Sequence, residues 1–333
     1  MPALPDPISA LPGAAWRPLT LDDVEAFVRL QEAARVADGG EEVMTEEVAR
    51  HELTDPSCPV ATSTLTLALP DGSLAASIMV HQRLQGLDSR RVFLWGTTHP
   101  DHRRKGIGRA ILGWGVARAD EILAGQPAHL LRIVEAFKEE RLADAVELHE
   151  AAGFRPARWY FDMRRDLHEP IPHEPDPRGI RIEGYEAALG ERLRIAHNEA
   201  FADHWASEPL TAEIWNREFI GDPYFRPDLS FVAFDGDEIA GYTVNYVAEA
   251  DWAATGIREG WIGQMGVRRP WRRRGLATAL LVRSMRAFRD TGFDAAILGV
   301  DAENPTGALG VYERVGFGPV RRSVRMQRPY GGQ

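Results

Sequence analysis

One short grammar occurs twice in this chain: "HRRKGIGRAIL" begins at His102 and "WRRRGLATALL" at Trp271. In each, a basic run is cut by glycine and runs on into apolar residues at helical spacing. These are Ile107, Ala110, Ile111 and Trp114 in the first copy, and Leu276, Ala279 and Leu280 in the second. A second pair follows in the same order, "LHEAAGF" (148–154) and "VYERVGF" (311–317). Two features recurring in order at nearly the same offset mark a duplicated fold, and 333 residues leave room for two domains. Between the copies, "HEPIPHEPDPRG" is too rich in proline to continue a helix or a central strand. The expected organisation is therefore a first domain over 14–167, a linker over 168–179 and a second domain over 180–330.

Within each half the periodicities fall in one order. Helical patterns (Leu21 to Arg35; Ala187 to Phe201) precede a second short helix ("TEEVARHEL"; "TAEIWNREF"). Two apolar strands joined through Asp-Gly follow, which is a hairpin signal. A third strand leads into the basic turn and its helix, then come another strand, a helix ending in Gly-Phe, and a last strand that closes the half. Strands grouped around crossover helices predict a mixed α/β (α+β) fold, each half a mostly antiparallel sheet with one parallel pair.

A net charge of −10 argues against nucleic-acid and anionic-membrane partners, so the basic turns are expected to serve a small anionic ligand. No apolar run has membrane-spanning length and the N-terminus lacks the pattern of an export signal. The single cysteine, Cys58, has no intramolecular partner for a disulfide, which suits a cytoplasmic location. No metal is expected, and the oligomeric state is not legible.

A strand ending in a glycine turn that opens a helix leaves backbone N–H groups unpaired beside the positive end of the helix dipole. Arg103, Arg104 and Lys105, or Arg272, Arg273 and Arg274, add charge for phosphate oxygens. The dinucleotide fingerprint fails because Ile111 and Leu280 stand where its third glycine is required. The triphosphate loop fails because neither copy has Gly-Lys-Ser/Thr.

The remaining pattern, Arg103-x-x-Gly106-x-Gly108 and Arg272-x-x-Gly275-x-Ala277, resembles the acyl-coenzyme A pyrophosphate loop of the GCN5-related N-acetyltransferases (GNAT). The resemblance covers most of both halves and is closer in the second, through "QMGVRRPWRRRGLATALL" and "LGVDAENPTGALGVYERVGF". It implies two tandem GNAT-like domains, each with a splayed central parallel pair, and acetyl-CoA as cofactor. It also implies pantetheine pairing along Met265 and Val267, pyrophosphate on Arg272 to Thr278 (with Gly275, Leu276 and Ala277 between), and Asn304 beside the coenzyme. Gly266 is expected to mark the bulge that opens the thioester slot.

Acetyl transfer to an amine needs a proton for the departing thiolate, and in this family Tyr312 stands at the position of the tyrosine that supplies it. His149 fills the same slot in the first half, which implies a weakened or inert copy that still binds a coenzyme A-type ligand. Glu259, just before its strand, is the candidate base, with a solvated acid as the alternative reading. His204, Trp205 and Trp252 are candidates for the acceptor wall. The layout is also similar to that of the mycothiol synthases, whose early acidic region Asp38 and Glu46 loosely match. The expected activity is acetyl-CoA-dependent acetylation of a small-molecule primary amine by the second half. The alternatives are acetylation of a cysteinyl amine, as in the mycothiol synthases, or a non-catalytic acyl-CoA sensor or scaffold.

Overall fold

The computed structural model describes residues 1–303 and 307–331. The chain forms two compact units, one of residues 1–158 with 323–333, the other of residues 159–322.

The first half of the chain begins with β1 (Ala15–Arg17), α1 (Val24–Asp38), α2 (Glu46–Leu53) and α3 (Val60–Ser63). The hairpin β2 (Thr64–Ala68) and β3 (Leu74–Arg83) leads to β4 (Ser89–Thr98). After the basic turn come α4 (Ile107–Ala124), β5 (Leu131–Glu139), α5 (Ala143–Ala151) and β6 (Arg155–Asp166). Caps fix several ends: α1 stops at Gly39 in the left-handed region (φ 62°), and the Thr45 side chain accepts from the Val48 amide at the start of α2. The second half of the chain follows the same order. β7 (Ile180–Gly184), α6 (Gly190–Phe201), α7 (Ala212–Glu218), β8 (Phe231–Asp235) and β9 (Glu238–Tyr246) come first. They are followed by α8 (Glu249–Thr255), β10 (Glu259–Val267), α9 (Leu276–Asp290), β11 (Ala295–Asp301), α10 (Ala308–Arg314) and β12 (Gly318–Pro329).

Each unit carries one parallel pair among antiparallel neighbours, β4 with β5 and β10 with β11. In the second unit one sheet face packs Ile262, Leu298 and Val300 against Met285 and Phe288 of α9 and Tyr312 of α10. The other packs Val232, Tyr242 and Val244 against Leu193, Ala196 and Trp215 of α6 and α7. Helices thus pack on both faces of the sheet.

The last strands depart from expectation. β6 does not close the first half; its residues Tyr160 to Asp166 pair antiparallel with β11. β12 returns the exchange, pairing Ser323 to Pro329 with β5. Strand patterning is set by which face of a strand is buried and says nothing about which neighbour supplies the ladder, so sequence alone does not reveal the swap. The Pro-rich segment 168–179 has neither helix nor strand, as expected, but it is not a free tether. Glu174 meets Arg283 (2.6 Å) and Arg286 (3.2 Å) on α9, and the Arg178 carbonyl accepts from Arg274 (3.4 Å).

Candidate functional site

The two basic turns have one backbone. Arg103 (φ −65°, ψ 161°) and Arg272 (φ −64°, ψ 156°) are extended. Arg104 and Arg273 lie in the left-handed region (φ 62° and 61°), as do Gly106 and Gly275 (φ 83° and 79°). Neither α4 nor α9 has a side-chain cap, and neither has an acid in its first turn. A turn alternating in and out of the left-handed region at an uncapped helix start gathers amide donors into an anion cradle. Arg273, Arg274 and Gly275 are exposed, as are Arg104, Lys105 and Gly106, while Leu276 and Ile107 anchor the helices in the cores. Ala277 and Thr278 continue the first turn of α9, half-buried. At the equivalent Gly108 an added Cβ would meet Leu148 at 3.3 Å.

The guanidinium group of the first arginine in each motif is held by protein groups. Arg272 donates to the carbonyls of Val267 (3.0 Å) and Ala200 (2.8 Å) and pairs with Asp203 (3.1 Å). Arg103 donates to Thr98 O (3.2 Å) and grips both oxygens of Asp38 (2.6 and 2.8 Å). Both are clamps tying the turn to the end of the unit's first long helix. Asp38 thus lies in the clamp of the first unit. The signal was in the sequence: an acid closing the first helix of each half and an arginine opening each turn. Asp203 also binds Arg269, and its carboxyl is held down at a pKa of about 2 chiefly by that hydrogen bond.

The parallel pairing of β10 with β11 ends at Trp261↔Ile297, and beyond it the two strands have no ladder. The bulge lies between Ile262 and Gln264, so Gly263, not Gly266, is its glycine. Gly266 pairs in register with Tyr242, whose ring would be 2.6 Å from a Cβ there. At Gly263 the Tyr246 ring would be 2.4 Å from a Cβ. Gly263 on β10 and Gly299 on β11 are both exposed, so the sheet is uncovered on either side of the split. Met265 and Val267, half-buried, follow on the freed stretch of β10. In the first unit the last parallel pair is Phe93↔Glu135, and Phe137 stands where the second unit has Gly299. Arg325 lies over both rings, 5.2 Å from Phe93 and 5.3 Å from Phe137, and shares the fully buried Glu135 with Arg91 and Gln327.

Tyr312 lies in the core below the split, edge-on to Phe317, and among the described residues its hydroxyl makes no hydrogen bond. Burial raises its pKa to about 12, so the phenol keeps its proton at neutral pH. His149 occupies the matching place, edge-on to Phe154, but donates to the Ala145 carbonyl (2.7 Å), and burial lowers its pKa to about 4. Glu259 is the first residue of β10 and is buried, which removes the solvated-acid reading. Its carboxylate is held by Arg164 of β6 (2.7 and 3.3 Å) inside the stretch that is still paired. The corresponding residue of the first unit, two before the last parallel pair, is Arg91.

The other candidates scatter. His204 follows α6, half-buried and tilted against Phe201 at 4.4 Å, with its pKa lowered by burial and then by Arg272. Trp205 is half-buried next to it. Trp252, on α8, packs on Phe293 and donates to the Glu259 carbonyl (3.1 Å), a place at the closed end of the strand pair. Glu46 faces Arg50 (3.4 Å) on the exposed side of α2. Asn304 lies outside the described residues.

Two strands that part beside an amide-rich basic turn are what an acyltransferase needs to admit a thioester, and the chain is an enzyme of that class. It belongs to the GCN5-related N-acetyltransferase family. A family model described as the acetyltransferase (GNAT) family matches residues 191–317. The mycothiol acetyltransferase of Salinispora arenicola is 30% identical over 319 residues, covering 92% of this chain and 93% of the relative. A GCN5-related N-acetyltransferase structure from Sphaerobacter thermophilus is 28% identical with a TM-score of 0.74, covering 98% of this chain and 97% of that one. A tandem GNAT protein from the clavulanic acid biosynthesis pathway shares the fold at 16% identity with a TM-score of 0.70, over 96% of this chain and 99% of that one. No helix among the described residues is long and apolar enough to cross a membrane.

Proposed function

We propose that the second unit transfers the acetyl group of acetyl-CoA to a primary amine of a small molecule, and that the first unit binds a coenzyme A-type ligand without turning it over. The observation that carries this reading is the contrast between equivalent positions. At the split, the second unit has Gly299 and the protonated Tyr312. The first has Phe137 under Arg325, and His149 tied to a backbone carbonyl. The likeness to mycothiol acetyltransferase over nearly the whole chain favours a cysteinyl amine as the acceptor.

The residues fit the coenzyme. The amides of residues 273–278 with the Arg273 and Arg274 side chains would hold its phosphates, the Arg272 clamp keeping the turn in shape. The free edge of β10 at Met265 and Val267 would take the pantetheine amides. What the coenzyme supplies when bound is an activated acetyl thioester. Tyr312 Oη holds the proton that the departing sulfur requires, and its raised pKa keeps that proton in place until negative charge develops. Glu259 is better placed to fix the closed end of the strand pair than to take a proton. An α-amine of pKa about 7.7–8.0 is already partly neutral at pH 7 and can lose its proton to water. The deciding experiment supplies acetyl-CoA with a panel of primary amines that includes a cysteinyl glycoside. N-acetyl product is followed by mass spectrometry, because a thiol acceptor would mask released coenzyme A in a thiol assay. Product from the cysteinyl amine alone is the expected result; no N-acetylation of any amine would refute the reading.

A further inference from the structure

Each unit carries another repeated element that the coenzyme reading does not use, an Asp-Pro turn laid against the end of the third strand. In the second unit Asp222 Oδ1 accepts from the Tyr224 amide (2.7 Å), and the Val247 amide donates to the Tyr224 carbonyl (2.8 Å). A bridge between Phe225 and Tyr246 completes the contact. In the first unit Asp55 Oδ1 accepts from the Ser57 amide (2.7 Å), and the Gln82 amide donates to the Ser57 carbonyl (2.8 Å). The turn thus delivers an aspartate to the residue opposite the last paired position of the parallel pair. That residue is Tyr246, opposite Trp261, in the second unit and His81, opposite Phe93, in the first.

Tyr246 differs from His81 in what surrounds it. His81 lies 3.6 Å from Asp55 and 3.4 Å from the Ser57 hydroxyl, a local polar cluster. Tyr246 lies across Gly263, the bulge glycine at which β10 leaves β11, and only the missing Cβ admits its ring. Among the described residues its hydroxyl makes no hydrogen bond. Burial raises its pKa, and the nearby Asp222 adds to the rise, so the phenol is neutral. Tyr242 and Val244 place this strand face under α6 and α7, whereas Tyr312 belongs to the cluster under α9 on the opposite face. The split therefore has a tyrosine on either side of the sheet.

We infer that Tyr246 and Asp222 form the acceptor-side subsite of the second unit, which takes the primary ammonium of the incoming substrate. The inference rests on the transfer reading above. The Asp222 carboxylate draws in the cationic form that predominates at pH 7, and the Tyr246 hydroxyl, held at the bulge, aligns it at the mouth of the split. Tyr312 serves the departing sulfur from the other face, so the two tyrosines divide the reaction between arrival and departure.

Steady-state kinetics on Tyr246→Phe and Asp222→Asn test this, with the acceptor and acetyl-CoA varied separately. Phenylalanine keeps the ring on Gly263, and asparagine keeps the acceptor for the Tyr224 amide, so both variants should fold, which far-UV circular dichroism checks before the kinetics. The expected result is a KM for the amine raised about tenfold or more, with KM for acetyl-CoA unchanged. A wild-type amine KM in both folded variants, while Tyr312→Phe and Gly275→Val remain impaired, overturns the subsite alone. If those last two variants also acted as wild type, the second unit would not be the transfer site and both readings would fall.

Discussion

Tyr312 and His149 show how much of the site a single residue can disclose. Both sit four positions before the glycine of a repeated helix end, so the sequence places them in one slot, and the structure repeats even the edge-on phenylalanine. Tyr312→Phe retains the ring packing and removes only the proton. Turnover should fall about 10²- to 10⁴-fold with acetyl-CoA affinity unchanged by calorimetry; wild-type turnover would remove Tyr312 from the mechanism. Because its pKa lies near 12, no alkaline loss of rate assignable to this residue should appear below about pH 10. Buried histidines carry a second pH effect. His149 and His197 have pKa values lowered to about 4 by burial, so between the unfolded value and 4 only the unfolded chain takes the proton. Their stabilisation is complete above about pH 6.5 and is lost as pH falls toward 4, at most about 3 kcal/mol each. Melting temperatures measured from pH 7.5 to 4.5 should fall accordingly, and His197→Gln should flatten the curve. Glu259 was the residue least legible in the sequence, because burial and the Arg164 partner, 95 positions away, decide its state.

At the scale of elements, the basic turn was legible because its grammar is local: a strand, a glycine at positive φ, and an apolar helix. Gly275→Val forces a β-branched residue to φ 79°, where any residue other than glycine is strained. Calorimetry on the wild type should find two acetyl-CoA sites per chain, since both turns share one backbone, and Gly275→Val should lose one of them together with the transferase activity. A single wild-type site lost in that variant would make the first turn a structural remnant. What the turn's letters hid was the division of labour among its arginines. Arg272 and Arg103 look like phosphate ligands in sequence, yet their guanidinium groups are used by carbonyls and by Asp203 or Asp38. Bulge placement was equally hidden, since Gly263 and Gly266 both sit under tyrosine rings and only the pairing register separates them.

For the whole molecule, the duplication was legible and the exchange of last strands was not, and the exchange decides how the chain responds to truncation. A chain made of two consecutive domains would lose only its second domain when shortened at the C-terminus. Here residues 323–333 belong to the first unit, where β12 supplies the antiparallel neighbour of β5. They also bring Arg325 and Gln327 to Glu135, a carboxylate with no exposed surface. Ending the chain at Arg322 would leave that carboxylate with Arg91 as its remaining partner among those described, and would bare the backbone edge of β5. Breaking a buried ion pair alone costs about 3–5 kcal/mol, a large share of a domain's stability. The truncated protein should therefore lose hydrogen-exchange protection first along β5 and β4, near residues 91–93 and 133–139, while β9, β10 and α9 stay protected. Arg325→Met, which keeps the strand and removes the charge, should reproduce the loss in milder form. If the truncation instead released β11 and left β5 protected, the assignment of β12 to the first unit would be wrong.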